Sequence, residues 1–144
     1  VLTIDNELIG TGQNKINEKE SFLNHAEMRI IIDYSSELFK VKKANPSVVI
    51  RLYSTWEPCI QCFGASVINQ INEIYYILDD PNGGASKVKK EGLGKVYETM
   101  WPRIEKIAHS NRPLELLIAY FRAEIKKGNV DKPTKILKLY GYDE

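Results

Sequence analysis

Four side chains have the types and the spacing for hydrolytic metal chemistry: His25 and Glu27, two positions apart, and Cys59 and Cys62, three apart, with Cys59 lying 34 positions after His25. A hydrolytic zinc centre needs three protein ligands and an open fourth position for water, and one imidazole with two thiolates is such a set. Pro58 precedes the cysteines and suits the first turn of a helix, where a missing N–H costs nothing. Both sulfurs then fall on one helix face near the positive end of the dipole, which favours the thiolate, the form that binds metal. Glu27 is too close to His25 along a helix to point the same way, yet close enough to stand beside a metal-bound water. Bound zinc lowers the pKa of that water from about 15.7 toward about 7. A neighbouring carboxylate can take the proton and return it to a leaving group. His25, Cys59 and Cys62 are therefore the candidate ligands of Zn2+, and Glu27 is the candidate general base and acid.

Each piece has a plainer reading. A lone His-x-Glu arises often by chance, and Cys-x-x-Cys also marks redox pairs or inert thiols under a helix cap. The conjunction discriminates between the readings. A dithiol redox protein would leave His25-Ala26-Glu27 unexplained, and a zinc ion that only stapled the fold of a non-catalytic partner subunit would have no need of a proton carrier.

The elements that must position these groups alternate between strand and helix. Val1–Thr3 and Glu7–Gly12 read as short strands around the Asx-rich turn Asp5-Asn6, with Gly10 and Gly12 marking a bulge or a close backbone approach. Asn24 to about Phe39 has helical apolar spacing through Ile30, Ile31, Tyr34, Leu38 and Phe39, with Asn24 as N-cap just before His25. Asn45-Pro46 breaks that pattern, and Ser47–Tyr53 is a β-branched run that fits a buried strand. A helix opening at Pro58, a buried strand at Ile71–Leu78 and a loop at Asp79–Gly84 follow. Further on, Lys87–Met100 reads as helix or partly disordered chain, Arg103–Ala108 as a strand, Leu114–Lys127 as an amphipathic helix and Asp131–Tyr140 as a short final helix. The order is that of an α/β domain.

With 144 residues, 43% of them hydrophobic, the chain fits one domain over 1–144, since a chain of this length buries roughly two-thirds of its unfolded surface in one core. The longest apolar runs fall far short of the roughly 18 residues of a membrane span, so no membrane partner is expected. Two closely spaced cysteines cannot build a disulfide framework, and a reducing cytoplasmic setting is expected. The net charge of +1 argues against a protein that lives mainly by phosphate attraction. It hides an asymmetry, because residues 1–85 hold 7 Lys and Arg against 11 Asp and Glu, while residues 86–144 hold 13 against 8. Such a basic half marks either a polyanion-facing surface or ordinary solvated lysine-rich helices.

His-Ala-Glu at one helix start and Pro-Cys-Ile-Gln-Cys at the next resemble the zinc deaminase signature. The chain is similar to the cytidine deaminase superfamily, in the branch of guanine deaminases, cytosine deaminases and tRNA adenosine deaminases, over roughly residues 1–127. The resemblance implies a three-layer α/β/α sheet flanked by helices, with the family's first helix and its leading Pro-x-Gly-Ala segment missing ahead of Val1. Gly10-Thr11-Gly12-Gln13-Asn14 resembles the family's Gly-x-Gly-x-Asn, which implies that Asn14 hydrogen-bonds the base; a turn asparagine is the plainer reading. Ser54-Thr55-Trp56-Glu57-Pro58-Cys59 is similar to the Thr-Leu-Glu-Pro-Cys stretch of the tRNA adenosine and guanine deaminases. Trp56 then either stacks on a base or belongs to the core. Aligning Gly84-Ala85 places Asp80 where relatives have a substrate-side aspartate, against the alternative of a solvated turn residue.

Phe22-Leu23-Asn24 stands where purine-acting relatives carry Asp-Pro-Thr-Ala, which leaves the base open, and Gly128–Glu144 extends beyond the helix that usually ends the core. His109, the other histidine, lacks motif context and is not expected to be a ligand. The expected activity is hydrolytic deamination of a small-molecule nucleobase or nucleoside, and the alternative substrate is tRNA or single-stranded nucleic acid met by Lys126, Lys127, Lys132, Lys135 and Lys138. The resemblance also implies a homodimer.

Overall fold

The computed structural model describes residues 1–107 and 110–143, so His109 lies outside the described residues. In chain order the elements are β1 (Leu2–Ile4), β2 (Glu7–Gly10), α1 (Ile16–Lys19), α2 (Ala26–Ala44), β3 (Ile50–Trp56), α3 (Ile60–Ile68), β4 (Glu73–Leu78), α4 (Lys95–Met100), β5 (Arg103–Lys106), α5 (Arg112–Lys126) and α6 (Asp131–Leu139). The strands form one sheet in the order β2-β1-β3-β4-β5. β1 is antiparallel to β2 and β3, whereas β3, β4 and β5 run parallel. Helix α3 links the first parallel pair.

Asp5 and Asn6 turn the first hairpin with φ of 47° and 73°, the left-handed pair that a two-residue turn between twisted strands requires. The expected bulge is present: Leu2 pairs with Gly10 and Thr3 with Leu8, which leaves Ile9 without an opposite residue. Strand β3 starts later than expected, at Ile50, because Asn45 holds Ser47 and Val48 in a turn through its side chain and carbonyl. Helix α2 begins one residue later than the Asn24 cap implied, with His25 as the extended N-cap. Only Lys95–Met100 of the ambiguous 87–100 segment is helical.

Alternation along the strands aims Leu2, Ile50, Leu52 and Ile74 at the helices α2 and α3, where they meet Ile30, Ile31, Leu38, Phe63 and Val67 in the main core. The Trp101 ring packs edge-on against Phe63 with centroids 4.9 Å apart. Buried Lys42 is satisfied by the Val48 carbonyl at 2.7 Å and Asn72 Oδ1 at 2.9 Å, which ties the end of α2 to the start of β3. Helices α5 and α6 complete the three-layer arrangement and enclose a second, smaller apolar cluster of Ile118, Phe121, Ile136 and Leu137, with Trp56 packed against it. No helix among the described residues is long and apolar enough to cross a membrane.

Candidate metal and active centre

Two helix N-termini converge at the ends of the parallel strands, the place where open α/β sheets hold their ligands. His25 is the N-cap of α2 and Cys59 the N-cap of α3, while Cys62 is buried in the first turn of α3. Pro58 precedes that cap instead of occupying the first helical position, because its carbonyl accepts Ala85 N at 3.0 Å and Cys59 bridges to Gly84. Gly12 passes so close to the first turn of α2 that a Cβ there would lie 2.4 Å from the Ala26 carbonyl, so only glycine allows the approach.

His25 Nδ1 lies 3.6 Å from Cys59 Sγ, and the two sulfurs are 3.6 Å apart. All three ligand atoms fall within 4.8 Å of one another. A tetrahedral zinc ion with bonds of about 2.3 Å to sulfur and about 2.0–2.1 Å to nitrogen requires separations of about 3.8 Å between sulfurs and about 3.6 Å between sulfur and nitrogen. The residues therefore fit the metal by distance as well as by type. Both cysteines are free thiols. Contact with Cys62 holds the Cys59 thiol low, at about 5, with help from the His25 ring. The same contact, burial and the Glu27 carboxylate push the Cys62 thiol up. The two shifts run in opposite directions, and Cys59 is the thiol held toward the thiolate form.

Glu27, in the first turn of α2, is not a member of the ligand trio. Its Oε2 stands 3.6 Å from Cys62 Sγ, and its Oε1 accepts a short hydrogen bond from the Ser54 hydroxyl. It lines a cavity of about 380 Å³ together with Gly12, Ala26, Leu52, Ser54 and Thr55. Ser54 had a legible signal: it continues the inward alternation of Ile50 and Leu52, and a hydroxyl on the buried side of a strand needs a partner. Glu57 is the other unforeseen residue. Its carboxylate accepts Asp80 N at 2.8 Å and Ser86 N at 2.9 Å, pinning the loop after β4 against the loop that carries Cys59.

Asn14, Trp56 and Asp80, the residues expected at the substrate, are not among those that line that cavity, and neither are the three candidate ligands. Asn14 Oδ1 accepts Ile16 N at 3.0 Å in an Asx turn that starts α1. Asp80 Oδ1 accepts Asn82 N at 2.9 Å, a turn role. Trp56 packs edge-on against Phe121, with centroids 6.5 Å apart, and its indole N–H reaches the Tyr140 hydroxyl at 2.6 Å and the Asp79 carbonyl at 3.2 Å. The side chain is partly buried and packs against the second apolar cluster.

The chain is similar to "tRNA-specific adenosine deaminase 2" of Xenopus tropicalis, with 36% identity over 78 residues that cover 53% of this chain and 46% of that protein. It spans about half the length of the curated relatives it matches. Among solved structures, a tRNA:A34 deaminase from work on A-to-I editing superposes with a TM-score of 0.55 at 22% identity, covering 81% of both chains. A guanine deaminase from Nitrosomonas europaea superposes with a TM-score of 0.61 at 16% identity, covering 83% of this chain and 70% of the other, a likeness of fold. The model of the cytidine and deoxycytidylate deaminase zinc-binding region matches residues 1–78, the part that carries His25, Glu27, Cys59 and Cys62, and the chain belongs to that family.

Proposed function

We propose that the chain is a hydrolase that exchanges the exocyclic amine of a nucleobase for oxygen, releasing ammonia, with Glu27 as the proton carrier. The observation that carries this reading is the place of Glu27: beside the candidate ligand Cys62, outside the ligand set, oriented by Ser54 and among the residues that line the cavity. His25, Cys59 and Cys62 would hold the zinc ion, which supplies Lewis-acid activation of a water molecule. Glu27 accepts a proton from that water as it adds to the amidine carbon of the base and delivers it to the departing amine, so that base and water become the oxo-base and ammonia. Asn14 is proposed to orient the base from the loop that follows β2, and Asp80 to border the same mouth from the loop that follows β4.

A base carried on tRNA is the second reading. It is supported by the sequence relatives and by Lys132, Lys135 and Lys138, which lie exposed along α6 with no carboxylate partner among the described residues. Apolar side chains exposed on α2 and α3, among them Ile32, Phe39, Ile60 and Ile68, support a homodimer formed through those helices. The unbonded thiols support a cytoplasmic setting. Ammonia release from guanine, cytosine, adenosine, cytidine and unmodified tRNA tests the proposal. Release from a small substrate favours the first reading, and release from tRNA alone, lost steeply with added salt, favours the second. Zinc-loaded protein that released no ammonia from any of them would overturn both and leave a zinc-stapled partner subunit.

A further inference from the structure

We propose that Tyr140, near the C-terminus, is a positioning residue for the zinc loop, so that the helical hairpin α5–α6 controls how firmly Cys59 is held. The proposal rests on the reading of His25, Cys59 and Cys62 as zinc ligands. The matched family region ends at residue 78, and the hairpin lies wholly outside it. It nevertheless reaches back into that region at one point. The Tyr140 hydroxyl accepts the indole N–H of Trp56 at 2.6 Å and donates a short hydrogen bond to the carbonyl of Asp79.

Both partners abut the metal-binding loop. Trp56 is the last residue of β3, and Glu57, Pro58 and Cys59 follow it directly. Asp79 opens the loop whose Asp80 and Ser86 amides are held by the Glu57 carboxylate, whose Ala85 amide donates to Pro58 O at 3.0 Å and whose Gly84 bridges to Cys59. The phenol thus closes a ring of hydrogen bonds from the tail through Asp79 and Glu57 to the backbone of a metal ligand. Tyr140 itself packs against the apolar cluster of the hairpin, which couples the ring to α5 and α6.

A group that fixes the backbone of a ligand governs how easily that ligand lets go of its metal. Losing a group that hydrogen-bonds a ligand itself typically weakens metal binding by about 10- to 100-fold, and Tyr140, which bonds Trp56 and Asp79 and no ligand, acts at one remove. The test uses the full chain loaded with zinc and follows metal transfer to an excess of a chromogenic chelator. Tyr140→Phe keeps the ring and removes only the hydroxyl, and it is expected to release zinc roughly tenfold faster than the wild type, at the low end of that range. Tyr142→Phe is the control: Tyr142 packs in the same cluster and under the Arg122 guanidinium, and this variant is expected to release zinc at the wild-type rate. Trp56→Phe removes the other donor to this ring and should match Tyr140→Phe, with no further gain in the double variant because the two act through one carbonyl. It carries the test if Tyr140→Phe does not fold. Zinc release from both single variants at the wild-type rate would overturn the proposal, as would equal acceleration by Tyr142→Phe, which would make the effect a general loosening of the tail. Wild-type protein that bound no zinc at all would instead overturn the reading of the ligands beneath it.

Discussion

The Ser54 hydroxyl donates to Glu27 Oε1, so a strand residue fixes the orientation of a carboxylate carried by a helix. Glu27→Ala and Glu27→Gln are expected to keep one zinc per chain and lose about 10²- to 10⁴-fold in turnover, the usual cost of removing a general acid–base group. The amide should be nearly as damaging as alanine, because it preserves size but accepts no proton. Metal content measured alongside ammonia release checks this; loss of zinc in both variants would make Glu27 a ligand or a support instead.

Removal of the Ser54 hydroxyl should act on chemistry more than on binding. A hydrogen bond to a charged group is worth about 1.5–3 kcal/mol, and its loss frees the Glu27 carboxylate to turn away from the cavity. Ser54→Ala should therefore lower kcat by roughly tenfold, about 1.4 kcal/mol, with zinc retained and KM little changed. Steady-state kinetics on the substrate identified by the panel would show it, and an unchanged kcat would remove Ser54 from the site.

Metal-free protein should reveal the opposite shifts of the two thiols. Cys59 is partly exposed and held at about 5, whereas Cys62 is buried and pushed up. Alkylation at pH 7 should modify Cys59 first, because the thiolate is the nucleophile. The sign follows from the low value: above about pH 6 the rate should be flat, and it should fall as pH drops through about 5 and the thiolate is protonated. Peptide mapping by mass spectrometry after brief treatment with iodoacetamide gives the order, and Cys62 reacting first would contradict the assignment.

Gly84→Ala should damage the zinc loop without touching a ligand. A Cβ at Gly84 would fall 2.2 Å from Cδ of Glu57, so the carboxylate must leave the Asp80 and Ser86 amides it accepts. Both amides are part-buried, a hydrogen bond to a charged group is worth about 1.5–3 kcal/mol, and a loss of roughly 2–4 kcal/mol in unfolding free energy is expected. Urea titration measures it, and a midpoint equal to that of the wild type would mean that the loop relaxes around the methyl group.

The sequence made the metal centre legible because ligand chemistry is local: His25 at one helix start and Cys59 and Cys62 at another are placed by short-range helix geometry, and their types name the metal. Asp5-Asn6 likewise announced the first turn by its need for a left-handed backbone. What the sequence concealed depends on packing between distant segments. Trp56 as a residue type suits a base or a core equally, and only the approach of Phe121 and Tyr140 from the far end of the chain decides its surroundings. Asn14 and Asp80 were legible as turn residues, and their side-chain oxygens do hold turns. Glu57 could not be read as a clasp, since its two amide partners lie 23 and 29 residues away in the chain.

The two apolar clusters give the chain a built-in pair of optical probes. It contains two tryptophans, and each packs against a different cluster: Trp101 on Phe63 of the main core, and Trp56, at the end of β3, on Phe121 of the hairpin. The hairpin encloses far less buried apolar surface than the sheet and its helices, so it should open at a lower free energy, as small cooperative units do. Trp56 emission would then redden at lower denaturant than Trp101 emission, and amides of α5 and α6 would exchange before those of β3 and β4. Fluorescence of the single-tryptophan proteins could follow opening of the zinc loop's outer brace separately from loss of the fold that carries the ligands.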